Sequence, residues 1–184
     1  ATHLLGLHRD PTLLTVVNVW DVISARVVAD GIGTTALATA SHSIAASFGY
    51  EDGENIPVDL MIEACGRIAA ATDLPVSADL EAGYGHPVET VRKALGVGIV
   101  GANIEDQMRP LLEAATIVED VMAAADDEGV DFVLNARTDA FLLAGDRDRG
   151  AVLGDAVERG KAFLDAGAPA VFVPGRLSEE EVVT

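Results

Sequence analysis

The alternation of short apolar runs with longer alanine-rich stretches is the feature that most constrains the fold of this chain. Six β-branched or apolar runs predict strands, near 14–19, 34–39, 75–80, 99–104, 131–136 and 170–174. The stretches between them predict helices, near 22–30, 57–71, 87–97, 111–127 and 150–166. Strands that are apolar on both faces and alternate with helices indicate a parallel sheet covered by helices.

Glycine and proline mark the expected helix boundaries. Gly31 and Gly167 stand just past two predicted helix ends, where a glycine commonly closes the last turn. Pro57, Pro87 and Pro110 stand where three helices should begin, and proline is well tolerated in a first helical turn. The turn chemistry therefore agrees with the alternation.

Composition excludes several classes of partner. With 184 residues, 49% of them hydrophobic, the chain can bury one sizeable core and is expected to form one domain. No apolar run approaches the roughly 20 residues of a membrane-spanning helix, and no export signal is visible. A net charge of -18 opposes binding to nucleic acid or to an anionic membrane. The single cysteine fits a reducing cytoplasm.

Acidic residues are concentrated where successive strands should end. Asp79 and Glu81 close the third predicted strand, and Glu105 and Asp106 close the fourth. Carboxylates this close would repel each other unless a cation lay between them. Hard oxygen ligands of this kind suit Mg²⁺, so the sequence predicts a metal-dependent enzyme.

Polar groups at carboxyl ends of parallel strands occur both in (β/α)₈ barrels and in open doubly wound sheets. No Gly-x-Gly-x-x-Gly follows the first strand, which weakens the dinucleotide-binding version.

Six strands are too few for a complete barrel. Ser178 and Glu181 form a capping-box pattern that begins another helix. We therefore expect residues 1–184 to be a single (β/α) barrel domain that lacks its C-terminal units.

Seven motifs occur in the order found in one enzyme superfamily. They are Asn-Val-Trp-Asp at 18–21, Ala-Thr-Ala-Ser at 38–41, Phe-Gly-Tyr-Glu-Asp-Gly at 48–53, Asp-Leu-Glu-Ala-Gly-Tyr-Gly at 79–85, Asn-Ile-Glu-Asp-Gln at 103–107, Asn-Ala-Arg-Thr-Asp at 135–139 and Phe-Val-Pro-Gly at 172–175. The chain resembles the isocitrate lyase / phosphoenolpyruvate mutase superfamily, as a phosphonomutase-like member. The resemblance implies a (β/α)₈ barrel that breaks or rearranges a C–C or P–C bond of small α-keto or enol acids with Mg²⁺.

The resemblance also implies a metal shell. Asp79 would be the closest ligand of Mg²⁺, with Mn²⁺ as a substitute. Asp52, Glu81 and Glu105 would complete the shell, mainly through water. A homodimer or homotetramer is implied as well, because the last helix of the family's barrel is often exchanged between subunits.

Substrate contacts follow from the same resemblance. Backbone groups near Thr39, Ala40 and Ser41 would receive a carboxylate or phosphonate oxygen. Arg137 would pair with the anionic end of the substrate, a contact for which its planar fork is suited. Arg137 and Glu105 are the expected catalytic residues.

The interval after Glu105 departs from the family pattern. Isocitrate and methylisocitrate lyases carry a Lys-Lys-Cys-Gly-His or Lys-Arg-Cys-Gly-His loop there, whereas Gln107 here leads straight to Met108-Arg109-Pro110. The gate is either short, or some of its residues are missing from this sequence. Two alternatives to the metal-dependent enzyme stay open: a barrel that binds a metabolite without turnover, and a cysteine-dependent lyase whose gate is missing.

Other residues have a structural interpretation beside a functional one. Cys65 lies in an alanine-rich helix and is expected to be a small core residue. Asp139 is expected to orient Arg137 or to cap the next helix. His42 is expected at the surface or in the core, and Tyr84 could either line the site or belong to the core.

Overall fold

The computed structural model describes residues 1–183, which form eight helices and six strands. The strands are β1 Val17–Val19, β2 Leu37–Thr39, β3 Val76–Asp79, β4 Gly101–Glu105, β5 Val133–Arg137 and β6 Ala170–Phe172. The helices are α1 Thr2–Arg9, α2 Val22–Ala29, α3 Ser41–Ser47, α4 Val58–Ala69, α5 Pro87–Gly96, α6 Leu111–Asp127, α7 Arg149–Asp165 and α8 Glu179–Val182.

The sheet is parallel and its strands lie in sequence order, from β1 to β6. This order arises when each helix returns the chain to a strand beside the previous one, as in a (β/α)₈ barrel. Parallel pairing brings all the carboxyl ends of the strands to one rim. The predicted α/β class and the six strand–helix units are confirmed.

The core lies between the sheet and its helices. Helix α4 shows the pattern well, because Met61, Ile62, Cys65 and Ile68 recur at three- and four-residue spacing and are all buried. At the opposite rim, Leu4 of α1 is fully buried beside Gly101, where an added Cβ would lie 2.9 Å from the Leu4 side chain. Helix α1 thus covers the amino-terminal ends of the strands.

Several predicted strand bounds were wrong, and two helices were missed. The predicted strands began up to three residues too early, because β-branched and apolar residues precede the paired segment, as at 14–16 before β1. The strands predicted at 99–104 and 131–136 ended one residue too early, because Glu105 and Arg137 are polar yet still pair in β4 and β5. Helix α1 was missed because it is eight residues long and buries only Leu4. Helix α3 was missed because its serines and histidine are residues common in loops. The capping box of Ser178 and Glu181 at α8 is confirmed.

Both edges of the sheet are open among residues 1–183. Strand β1 pairs only with β2, and β6 pairs only with β5. Val17 on β1 is 46% exposed, and Ile23 and Val27 on the neighbouring α2 are also exposed. Exposed apolar side chains beside an unpaired edge are the feature expected of an unclosed barrel. Within the described residues, no helix is long and apolar enough to cross a membrane.

Candidate active site

The carboxyl ends of β3, β4 and β5 bring the predicted site residues together. In the sheet register Asp79 lies opposite Asn103, and Glu105 lies opposite Arg137. The amide of Asn135 donates to Asn103 Oδ1 at 2.8 Å, which ties β5 to β4 one layer below this rim. The site is therefore built on rigid strand ends, while its surroundings come from the loops that follow them.

Asp79 is held by the end of β2. Its Oδ2 accepts hydrogen bonds from the Ser41 hydroxyl at 2.7 Å and from the Ser41 backbone N–H at 3.1 Å. Its own backbone N–H donates to Thr39 Oγ1 at 2.9 Å. The predicted substrate-binding segment and the predicted principal metal ligand are thus in direct contact.

Both carboxylate oxygens of Glu81 accept a hydrogen bond. Glu81 is buried, and its backbone has a left-handed φ of 52°. Its Oε1 accepts from the Tyr84 hydroxyl at 2.9 Å, and its Oε2 accepts from the Glu54 backbone N–H at 2.5 Å. Burial raises the pKa of Glu81 above its ordinary value, and these two hydrogen bonds oppose the rise.

Glu105 and Arg137 form an ion pair at the rim. Arg137 Nη1 lies 2.9 Å from Glu105 Oε2, and Arg137 Nε donates to Asp139 Oδ1 at 2.8 Å. Asp139 therefore orients Arg137, one of the two roles expected for it. Burial raises the pKa of Glu105 to about 7, with Arg137 opposing the rise. Neighbouring carboxylates, including Asp79 and Glu81, add to it.

Asp52 lies in the loop between α3 and α4 and is the most exposed predicted metal ligand, with 53% of its side chain accessible. Its Oδ2 is 3.8 Å from Nδ1 of His42, whose side chain is also mostly exposed. Burial is the main cause of the raised pKa of Glu81, and the negative charge of Asp52 adds to it. The surface interpretation of His42 is confirmed.

The donor set suits a hard divalent cation bound largely through water. No three His, Cys, Asp or Glu side chains within residues 1–183 converge closely enough to ligate one ion directly. The oxygens of Asp79, Glu81 and Glu105 instead contact Ser41, Tyr84 and Arg137 respectively. Carboxylates that retain lone pairs beside such donors can accept hydrogen bonds from the waters of Mg²⁺, which keeps several waters when bound to proteins.

The predicted substrate-binding segment is already hydrogen-bonded within the protein. Thr39 is buried, and the backbone N–H of Ala40 donates to the carbonyl of Val19 at 3.2 Å. The N–H of Ser41 donates to Asp79. An anionic substrate oxygen could bind at Ser41 only if the Ser41–Asp79 hydrogen bonds were exchanged.

Sequence reasoning missed Glu54 and Arg159, and it grouped Asp106 with the acids beside the expected cation, whereas Asp106 pairs with Arg159. Glu54 accepts from the Tyr84 backbone N–H at 2.5 Å. Asp106 is buried and pairs with Arg159 of α7, whose Nη1 lies 3.0 Å from Asp106 Oδ2. Arg159 is 53 residues from Asp106 in the chain, and no local pattern links them. The sequence indicated only that Arg159 lies in the helix predicted at 150–166.

The interval after β4 is a tight turn rather than an extended gate. Gln107 and Met108 have left-handed φ angles of 47° and 53°, and Asp106 Oδ1 accepts from the Met108 backbone N–H at 2.9 Å. Helix α6 begins immediately after Pro110. No cysteine lies here, and Cys65 is buried in α4, where burial raises the pKa of its thiol to about 12. A thiol in this state is a core residue and a poor nucleophile.

One family model and several known proteins match this chain. The family model described as phosphoenolpyruvate phosphomutase matches residues 4–184. The chain is 32% identical over 161 residues to the 2-methylisocitrate lyase of Shewanella oneidensis. The aligned region covers 79% of this chain and 52% of that protein.

Two solved structures are similar over nearly the whole chain. One is a Burkholderia cenocepacia J2315 protein assigned as a phosphonomutase, with a TM-score of 0.91 and 43% identity, covering 97% of this chain and 76% of that one. The other is an oxaloacetate acetylhydrolase in complex with 3,3-difluorooxalacetate, with a TM-score of 0.86 and 27% identity, covering 99% and 65%. The chain spans about half the length of the curated relatives it matches.

Proposed function

Because the chain belongs to the phosphoenolpyruvate phosphomutase family, we propose that it carries the active site of a Mg²⁺-dependent lyase or phosphonomutase. Its substrate would be a small α-keto or enol acid in which a C–C or P–C bond is cleaved or rearranged. The observation that carries this proposal is the meeting of three carboxylates and one arginine at neighbouring strand ends. Asp79, Glu81 and Glu105 are the carboxylates, and Arg137 is the arginine.

The carboxylates supply the proposed metal site. Asp79 would be the closest ligand, and Asp52, Glu81 and Glu105 would contribute mainly through water. Burial and, to a smaller extent, mutual repulsion raise the pKa values of Glu81 and Glu105, and a cation at this rim would offset both by stabilising the ionised carboxylates. A bound Mg²⁺ or Mn²⁺ would supply a Lewis acid for the negative charge that develops on the carbonyl oxygen of the substrate.

Arg137 and Glu105 supply the proposed binding and proton chemistry. The guanidinium of Arg137 is held by Asp139 at Nε, so its Nη1 could exchange Glu105 for a substrate carboxylate. Glu105, released from Arg137, could then accept a proton at Oε2 as the proposed general base. Ser41, together with the backbone near Thr39 and Ala40, would receive a second anionic oxygen.

The comparisons support a class of substrates rather than one compound. Similarity to a 2-methylisocitrate lyase, to an oxaloacetate acetylhydrolase and to a protein assigned as a phosphonomutase favours dianionic keto acids and their adducts. Oxaloacetate, phosphonopyruvate or phosphoenolpyruvate, and alkylmalates are the candidates. A cysteine-dependent lyase is disfavoured, because the Cys65 thiol is buried and the turn after β4 contains no cysteine.

The assembly of the whole protein also stays a proposal. Open edges at β1 and β6 support closure into an eight-stranded barrel by further strand–helix units. A homodimer or homotetramer in the cytoplasm is the expected context. Light scattering of the full-length protein tests the assembly, and a monodisperse monomer would contradict it.

A turnover screen tests the proposed function. The full-length protein would be incubated with each candidate acid in Mg²⁺, in Mn²⁺ and in excess EDTA. We expect turnover of one class of acid, lost in EDTA and restored by either metal. Turnover that EDTA does not affect would contradict the metal role. Binding of an acid without turnover would instead favour the metabolite-binding barrel.

A further inference from the structure

A hydrogen-bonded triangle joins two loops beside the candidate metal site. The backbone N–H of Glu54, in the loop between α3 and α4, donates to Glu81 Oε2 at 2.5 Å. The carboxylate of Glu54 accepts from the backbone N–H of Tyr84 at 2.5 Å, and the Tyr84 hydroxyl donates to Glu81 Oε1 at 2.9 Å. Each residue therefore contacts both of the others.

The backbone of the triangle has an uncommon conformation. Glu54, Glu81 and Tyr84 have φ angles of 63°, 52° and 56°, which non-glycine residues rarely adopt. Left-handed residues cost free energy and persist where surrounding contacts enforce them, often at functional sites. Three of the five non-glycine residues with positive φ in the described chain belong to this triangle. Glu54 makes two of the three hydrogen bonds of the triangle, and these are the two that cross from one loop to the other.

The triangle determines where two proposed metal ligands lie. Asp52 is two residues before Glu54 on the same loop, and its side chain is largely exposed. Glu81 has both carboxylate oxygens occupied by members of the triangle. Attaching the Glu54 loop to the β3 loop therefore fixes the separation between Asp52 and Glu81.

We infer that Glu54 is a positioning residue, which clamps the α3–α4 loop to the loop after β3 and so holds Asp52 and Glu81 at the spacing that a divalent cation requires. This inference rests on the proposed metal-dependent function. Glu54 acts through the Tyr84 backbone and through Glu81, and it touches neither the cation nor the substrate.

Binding of Mn²⁺ to the full-length protein, followed by the electron paramagnetic resonance signal of the free ion, tests the inference without any substrate. Glu54→Ala removes the acceptor for Tyr84, and we expect it to weaken Mn²⁺ binding about tenfold or more. Glu54→Gln keeps an amide oxygen in the same place and should stay within about threefold of wild type. Glu54→Gly, which accommodates the left-handed φ without strain, replaces Glu54→Ala if the latter does not fold.

Glu51→Gln is the matched control for charge, because it removes one negative charge from an exposed position of the same loop. We expect it to bind Mn²⁺ within about threefold of wild type. Equal binding by wild type and Glu54→Ala would overturn the positioning role. So would equal weakening by Glu54→Gln and Glu54→Ala, because charge rather than geometry would then be responsible. A wild-type protein that binds no Mn²⁺ would instead contradict the proposed metal site itself.

Discussion

Two arginines of this chain each bridge two acidic side chains, yet they lie in opposite environments. Arg137 stands at the open rim, 2.9 Å from Glu105 and 2.8 Å from Asp139, with 21% of its side chain exposed. Arg159 stands behind the rim in α7, 3.0 Å from Asp106 and 2.9 Å from Asp155, with 8% exposed. Both arginines thus pair with two acids, but Arg137 does so at the carboxyl ends of the strands and Arg159 does so in the interior.

The buried pair uses its hydrogen-bonding capacity inside the protein. Asp106 Oδ2 accepts from Arg159, while Oδ1 accepts from the backbone N–H groups of Met108 and Asp139. Arg159 Nη1 also donates to the carbonyl of Arg109 at 3.0 Å. This pair therefore joins the turn after β4, the end of β5 and helix α7.

At the rim, the charge of Arg137 does not fully offset the cost of burying the carboxylates that it pairs with. Burial and neighbouring acids raise the pKa of Glu105 to about 7 in spite of the Arg137 charge. Burial also raises the pKa of Asp139, again opposed by Arg137. The buried arginine thus joins three parts of the fold, whereas the rim arginine, in the proposed function, would exchange Glu105 for a ligand.

Removal of the buried arginine should have the largest effect on stability. Arg159→Met leaves Asp106 charged, buried and unpaired, so we expect a loss of about 3–5 kcal/mol in the free energy of unfolding. Urea denaturation measures it. Arg67→Met is the matched control, because Arg67 forms an exposed pair with Glu63 that should contribute about 0.5 kcal/mol or less. Equal losses in the two variants would contradict the structural role of Arg159.

Substitution of the rim arginine should have the largest effect on catalysis. Arg137→Lys replaces a planar fork by a single ammonium, so we expect kcat/KM to fall by about 10²-fold, or roughly 3 kcal/mol. The free energy of unfolding should change by less than about 1 kcal/mol. Steady-state kinetics and urea denaturation measure the two effects. Unchanged activity, or a stability loss in step with the activity loss, would make Arg137 a structural residue like Arg159.

The raised pKa of Glu105 makes the stability of the rim depend on pH. Because its folded-state pKa is raised to about 7, the folded state retains a proton that the unfolded state loses near pH 4.5. Ionisation therefore disfavours folding, and stability should fall as the pH rises from about 4.5 to 7.

Thermal unfolding of the metal-free protein in EDTA measures this dependence. Glu105→Gln lacks the ionisation, so its Tm should rise relative to wild type across that pH interval and then level off. A Tm difference that runs in the opposite direction would mean that Arg137 stabilises the Glu105 carboxylate more than burial penalises it.

The smallest effect is expected at Cys65, which lies in neither arginine cluster. Its Sγ is 4.0 Å from Thr39 Oγ1 and is fully buried beneath the rim. Cys65→Ser should leave kcat/KM within a few-fold of wild type. Complete loss of activity with an unchanged Tm would show that a cysteine-dependent mechanism operates after all.

Some contacts of the site were predictable from the sequence, and others were not. Asp79, Glu105 and Arg137 were predictable as neighbours, because parallel strands end at one rim. Helix α3 was not, since its seven residues include three serines and its position depends on the Ser41–Asp79 contact. The Arg159–Asp106 pair was not predictable either, because it depends on how α7 packs against α6 and β6, which the periodicity of the sequence does not indicate.

The direct test of the central claim is a calorimetric titration with Mg²⁺. The claim is that the carboxylates at the ends of β3 and β4 hold a divalent cation, with Asp79 as its closest ligand. We expect heat of binding from wild type and from the control Asp120→Ala, which removes an exposed carboxylate of α6. Asp79→Ala should show no specific binding while keeping its fold by circular dichroism. Equal binding by wild type and Asp79→Ala would contradict the claim.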